Sequence, residues 1–169
     1  MRDSTRLAAV EQNPLWDFAL DFYARPGVAD KLLRLQDEAG FDVCVLLWRL
    51  WLGHLGLAPT PGAEQALEDI YAWQRDYTRP LRQRRRWLKP AAACDSALAQ
   101  LRQTIKDAEL QAEKAALTQL EALSRQAGRV VALPAGERVS LVGAAGFRPT
   151  AEQESALAAL RAELVAGSR

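Results

Sequence analysis

The apolar positions of this chain fall mostly at helical spacing, and they are densest between residues 40 and 57. There Val43, Leu46, Leu47, Leu50, Trp51 and Leu55 recur every three or four residues, and Trp48 and Leu52 widen the stripe. A helix apolar over so much of its circumference is one buried by neighbours on several sides. The run is shorter than the roughly 18–20 apolar residues of a membrane span, and Arg49 and His54 interrupt it, so it reads as a core helix. Trp48 and Trp51 lie three residues apart. They are not expected to sink equally into one seam, which leaves one of them for a groove or a partner.

The flanking segments read as further helices. Asn13 and Pro14 form a cap and first-turn pair for a helix over residues 14–24, whose buried face is Leu15, Phe18, Ala19, Phe22 and Tyr23. Val28, Leu32, Leu35 and Ala39 mark a second helix. Gly40 closes it in the left-handed conformation, and Asp42 caps the apolar helix that follows. Thr60 and Pro61 repeat the cap-plus-proline device ahead of Leu67, Ile70, Tyr71, Trp73 or Gln74, and Tyr77, after which Pro80 kinks or divides the helix. Asp95 or Ser96 opens a long helix reaching residue 127, with Leu98, Leu101, Ile105, Ala108 and Ala112 as its regular stripe and Gly128 as its stop. Its many alanines favour close approach of a partner helix.

Beyond Gly128 the period changes. Residues 129–133 and 139–142, separated by Pro134-Ala135-Gly136, suggest a short β-hairpin within residues 129–142. Thr150 and Gln153 make a capping box before Leu157, Leu160 and Leu164 on a last helix. The fold class is therefore mainly α: a compact bundle of about five to six helices with one long helix. The segments expected are an N-terminal tail (1–12), the helical bundle (13–127), an irregular or hairpin insert (128–148) and a C-terminal helix (149–169).

The N-terminal half resembles an uncharacterised proteobacterial family of conserved helical proteins, a domain of unknown function. The resemblance rests on Leu15-Trp16-x-Phe18-Ala19-Leu20-x-x-Tyr23, Pro26-Gly27-Val28 and Leu33-x-Leu35-Gln36-Asp37. It continues through Gly40-x-Asp42-Val43, Leu46-Leu47 and Trp51-Leu52-Gly53 to Trp73, Leu81-Arg82 and Arg85. It spans roughly residues 14–90 and implies a compact bacterial helical domain without implying an activity. The family pattern has an asparagine where this chain has Cys44, so a role for that polar position does not carry over.

Composition narrows the classes. At 169 residues, with 49% hydrophobic and 25% charged residues, the chain is sized for one ordinary globular domain. A net charge of +1 leaves any attraction to nucleic acid or membrane to local patches. Cys44 and Cys94 have no metal-ligand spacing, and residues 1–11 are too soon interrupted for a signal peptide, so a reducing cytoplasm is expected. No cofactor motif is present: no phosphate-binding glycine loop, no dinucleotide fingerprint, no zinc spacing. His54 is the sole histidine and has no candidate catalytic partner; at a helix C-terminus it suits the free carbonyls.

Three constellations carry candidate chemistry. The first is basic: Arg79, Arg82, Arg84, Arg85, Arg86 and Lys89, with Trp87 among them and no acidic residue between. Arginine forks match phosphate or carboxylate oxygens and an aromatic neighbour can stack, so this is a candidate contact surface for a protein partner, RNA or anionic lipid. It suits equally a face salt-bridged to Asp37, Glu38, Glu64, Glu68 and Asp69. The second is a polar corner of Trp16, Asp17, Gln36, Asp37 and Asp42 around Gly40, with an ordinary hydrogen-bonded helix corner as the plainer reading. The third pairs Asp17 with Asp21 and Glu64 with Glu68, each one helical turn apart, in the arrangement by which bundles hold Mg²⁺ for diphosphate chemistry; such acidic pairs are also common on surface helices. The tryptophans otherwise suit the core. The expected function is a non-enzymatic interaction or adaptor module acting on a protein partner or as a homodimer. RNA or lipid binding is one alternative, and a Mg²⁺-dependent enzyme is another.

Overall fold

The computed structural model describes residues 2–143 and 148–166. Met1, residues 144–147 and residues 167–169, small parts of the expected tail, insert and last helix, lie outside them. The elements in order are α1 (Arg2–Gln12), α2 (Leu15–Tyr23), α3 (Val28–Ala39), α4 (Val43–His54), β1 (Leu57–Pro59) and α5 (Pro61–Trp73). A π turn (Gln74–Thr78), α6 (Arg79–Ala92), α7 (Ser96–Arg125), β2 (Val130–Ala132) and α8 (Ala151–Ala166) follow. The fold is mainly α.

The apolar run forms α4, the central helix, and every residue from Cys44 to Leu52 is buried. Helices α2, α3, α7 and α8 and strand β1 pack against it. Trp48 and Trp51 are both fully buried, against the expectation that one would face outward. The indole N–H groups explain how. Trp48 donates to Ser124 Oγ at 2.8 Å and Trp51 to the Asn13 carbonyl at 2.8 Å, so the two rings enter different seams with their polar atoms satisfied.

The corner before α4 follows the expected grammar. Gly40 ends α3 with φ of 69°, and the Phe41 N–H returns to the Leu35 carbonyl at 3.1 Å. Asp42 then caps α4 by accepting from the Val45 N–H at 3.1 Å. Thr60 caps α5 and Asp95 caps α7 in the same way, and Thr150 and Gln153 bond reciprocally at the start of α8. Asn13 differs: its side chain turns back to the Ala9 carbonyl at 2.8 Å, closing α1 instead of opening α2. The first free amide of α2, on Leu15, is taken by Glu121 Oε2 at 2.8 Å, a partner from α7 that no local pattern announces.

Two expectations of local structure need correction. The segment expected as a tail is helical from Arg2 to Gln12, and Val10 is fully buried. The expected hairpin between residues 129–133 and 139–142 does not form. Val130–Ala132 pairs antiparallel with Leu57–Pro59, in the register Leu57 with Ala132 and Pro59 with Val130. An isolated hairpin is marginal in water, whereas this ladder is pinned at both ends by Thr60 N–H to Arg129 O (3.0 Å) and Leu133 N–H to Gly56 O (2.8 Å). Val139 and Leu141 are instead buried as a strap over α4, where Val139 lies against Gly53 so closely that a Cβ there would stand 2.5 Å from Val139 Cγ1.

Helices α6 and α7 form an antiparallel hairpin. Residues 96–108 of α7 and all of α6 contain no fully buried side chain, whereas Ala112, Ala116, Leu117, Leu120 and Leu123 sink α7 into the body. The two helices thus make an arm rooted on the bundle. Among the described residues no helix is long and apolar enough to cross a membrane.

Candidate functional site

The arm and the Gly40 corner meet, and the candidate site lies where they do. The cause is the π turn. Residues five apart on an α-helix point about 140° away from each other. Between Gln74 and Arg79 the backbone instead bonds five residues on, Arg79 N–H to Gln74 O, and both residues line one cavity. The wide turn takes up the extra residue before Pro80, which sits in the first turn of α6 and needs no N–H partner there.

That cavity, about 290 Å³, lies beneath Gly40. Gln36, Asp37, Asp42 and Cys44 line it from α3, the corner and α4; Gln74, Arg79, Arg82, Arg86 and Glu113 line it from the π turn, α6 and α7. Three residues of the expected polar corner, Gln36, Asp37 and Asp42, are thereby joined to part of the basic segment. Trp16 and Asp17 are not on its wall. Trp16 lies on α2 under Lys114, whose Nζ stands 5.0 Å from the ring centroid.

Most arginines of the basic segment are held by carboxylates of the same chain. Arg82 bonds Glu109 at 2.9 Å and Glu113 at 2.7 Å; Arg85 also bonds Glu109; Arg86 bonds both oxygens of Asp37, at 2.8 and 2.9 Å. Of the acids expected to answer this segment, Asp37 does so. Glu64 is taken by the buried Arg49 at 2.5 Å, and the decisive acids Glu109 and Glu113 come from the long helix. Arg84 turns outward over Trp87, 5.1 Å from its centroid, and Trp87 is 63% exposed. Lys89 is exposed on the last turn of α6. On the outer side of α6 a depression of about 460 Å³ is lined by Arg75, Arg79, Arg82, Arg86, Gln83 and Trp87, with Pro80 at its edge.

Electrostatics divide these acids into two groups. Hydrogen bonding to Arg86 holds the Asp37 carboxyl below its ordinary value. Burial pushes Glu109 upward, but the bonds and charges of Arg85 and Arg82 outweigh it and hold this carboxyl low. In Asp42 and Glu113 burial wins: both carboxyls sit above their ordinary values although Val45, Gln74 and Arg79 oppose the shift in one case and Arg82 in the other. Burial also lifts the Cys44 thiol well above its usual range, so it behaves as an inert small apolar group.

Gln74 was legible only as an ambiguity of register, Trp73 or Gln74. It is 5% exposed, its Nε2 donates to Asp42 Oδ1 at 3.1 Å, and its Oε1 has no hydrogen-bond partner. Thr78 Oγ1, one turn on, is likewise buried without a partner. The Arg79 guanidinium has no hydrogen-bond partner among the described residues, and its charge acts on Asp42.

The acidic quartet is not assembled. Asp21 is paired with Arg25 at 2.8 Å and Glu64 with Arg49, and among the described residues no three histidine, cysteine or acidic side chains converge as metal ligands do. His54 packs on Phe18, with ring centroids 5.6 Å apart.

A model of the family described as protein of unknown function (DUF2390) matches residues 14–120. The chain belongs to this family. No curated protein matches it, and no solved structure does. The DUF2390 segment contains the whole cavity lining, all of α6 and α7 as far as residue 120. Strand β2, the strap and α8, which close over α4, lie outside the matched residues.

Proposed function

We propose that the protein is a non-enzymatic interaction module that captures an acidic segment of a partner protein on the outer face of α6. The observation that carries this reading is the arginine-lined depression beside Trp87. Exposed tryptophan and arginine are the residue types that dominate protein interfaces, and here Arg84 stacked on Trp87 limits the freedom of both. Glu109, Glu113 and Asp37 hold the neighbouring arginines in place, so less order has to be imposed on binding. The two free cysteines, Cys44 buried and Cys94 exposed, support a cytoplasmic setting.

The test is fluorescence anisotropy with a labelled Asp- and Glu-rich peptide carrying one aromatic residue, set beside single-stranded RNA of equal length and light scattering of the protein alone. The expected result is peptide binding that Trp87→Ala weakens about tenfold or more, with RNA the poorer ligand. Tighter RNA binding that collapses with salt overturns the reading in favour of nucleic acid. Peptide affinity unchanged in Trp87→Ala removes the assigned surface, and a stable dimer broken by Trp87→Ala reassigns that surface to self-association.

A further inference from the structure

We infer that the groove between the strap and α8 binds the free anion of a fatty acid, with its carboxylate on Arg138 and Arg161 and its chain along α8. This site shares no residue with the outer face of α6 and is independent of the surface proposed above. Apart from Gly53, its lining lies beyond the residues matched to the family.

The starting point is a helix with more apolar surface than the bundle covers. Leu157 and Leu160 of α8 are fully buried in the core. Ala158, Ala162 and Val165, spaced by four and three residues, mark a second side of the same helix and line a groove of about 660 Å³. Val165 there is 71% exposed. The floor is Gly53 of α4, where an added Cβ would stand 2.5 Å from Val139 Cγ1 and 3.9 Å from Leu164 Cδ1, so the strap and α8 meet over that glycine. Leu133 extends the apolar wall ahead of the strap. Ligand sites are concavities of about 300–1,000 Å³, mostly apolar with a few polar groups that fix orientation, and the groove has that make-up.

Charge selects the occupant. The charged lining is Arg138, Arg161 and Glu137, two positive groups against one negative. Neither arginine has a side-chain hydrogen bond or ion pair among the described residues, whereas Arg82, Arg85 and Arg86 are engaged. Arg161 lies down on the protein: its Nε is buried without a partner, while the rest of its guanidinium, equally unpaired, is not buried. A free fork of this kind takes a carboxylate in two parallel bonds. The surplus of one positive charge is what a monoanion neutralises. A cationic amphiphile would meet that surplus, and a second copy of the groove would bring the same one. The wall is aliphatic throughout, with no ring on which a nucleobase could stack, so it suits an alkyl chain and not a nucleotide.

The experiment uses the full chain and named probes. Octanoate, decanoate and dodecanoate, kept below their micelle concentrations, are titrated by calorimetry and against the methyl resonances of Val139 and Val165. Decyltrimethylammonium serves as the charge-reversed probe and phosphatidylglycerol vesicles as the lipid surface. The expected result is one saturable equivalent that shifts both sets of methyls and tightens about two- to fourfold with each added methylene. Decyltrimethylammonium is expected to bind about tenfold more weakly than decanoate, or worse. Ala162→Phe, at an exposed position on the groove wall, is expected to weaken all three acids about tenfold or more with an unchanged thermal transition. Arg161→Gln is expected to erase the preference for decanoate over the cation. Trp87→Ala is expected to leave decanoate affinity intact, which separates this site from the outer surface of α6. No saturable binding of dodecanoate at about 1 mM, uptake of many equivalents, or equal affinity for the cation overturns the proposal. Binding only to the vesicles, or unchanged affinity in both Ala162→Phe and Arg161→Gln, overturns it as well.

Discussion

Gly53 shows how tightly single positions are set. Its missing Cβ makes room for Val139, whose β-branched side chain is buried and has little rotamer freedom with which to yield. Gly53→Ala is expected to cost about 1–3 kcal/mol in urea unfolding, the range for overpacking, and Val139→Ala placed on top of it is expected to recover part of that loss. A loss that the second change does not relieve would mean that the strap is not what Gly53 accommodates. Residue-scale features of this kind were partly legible. Gly40, Asp42, Thr60 and Asp95 announce themselves because a cap is a local bargain between one side chain and the next turn. Asn13 carries the same signature and spends it on the preceding helix, since both helix ends lie within its reach. The burial of both Trp48 and Trp51 was not legible, because it depends on acceptors from Ser124 and Asn13.

At the scale of elements, the arm is held by charge as much as by apolar packing. Glu109 is buried between Arg82 and Arg85, and both arginines retain some exposure. Glu109→Gln is expected to cost about 2–3 kcal/mol, below the roughly 3–5 of a fully buried broken pair, because Arg82 keeps Glu113 and Arg85 can turn to water. The pH dependence follows from the low folded-state pKa of Glu109. Its contribution is complete above the ordinary glutamate value of 4.5 and is lost as pH falls through the folded value, where protonation breaks the bonds to arginine. Unfolding curves collected downward from pH 6 are expected to show a decline that is shallower in Glu109→Gln; parallel declines would deny Glu109 this role. The basic segment was legible in sequence as an arginine-rich helix, but its partners were not, since Glu109 and Glu113 follow it only after the loop between α6 and α7. The displacement of the expected hairpin has the same origin. Residues 129–133 have strand character, and the choice of Leu57–Pro59 over residues 139–142 is made by where α4 and α7 end.

Across the whole molecule, the matched family segment does not close its own core. Val139, Leu141, Leu157 and Leu160 come from beyond it and are all buried against the bundle. Burying a side chain of this kind contributes about 1.5–3 kcal/mol. The four together therefore rival the entire stability of an ordinary domain, about 5–15 kcal/mol. A chain ending at residue 127 is expected to keep helical circular dichroism while losing a cooperative thermal transition and amide dispersion. A sharp transition near that of the full chain would show that residues 128–166 are dispensable. The bundle class itself was legible because helical periodicity is written along the whole chain. The site was not, because it is assembled from α3, α4, the π turn, α6 and α7, and no single stretch contains it.

The bond from the Leu15 amide to Glu121 also sets an order in time. A ribosome delivers the N-terminus first, so α2 emerges with its leading amide unanswered and its apolar face bare until the end of α7 follows, 106 residues later. Contacts that far apart along a chain form late and leave earlier segments waiting in partly ordered states. Trp48 waits in the same way for Ser124, 76 residues further on, so the growing chain carries that indole N–H without its acceptor until α7 is nearly complete.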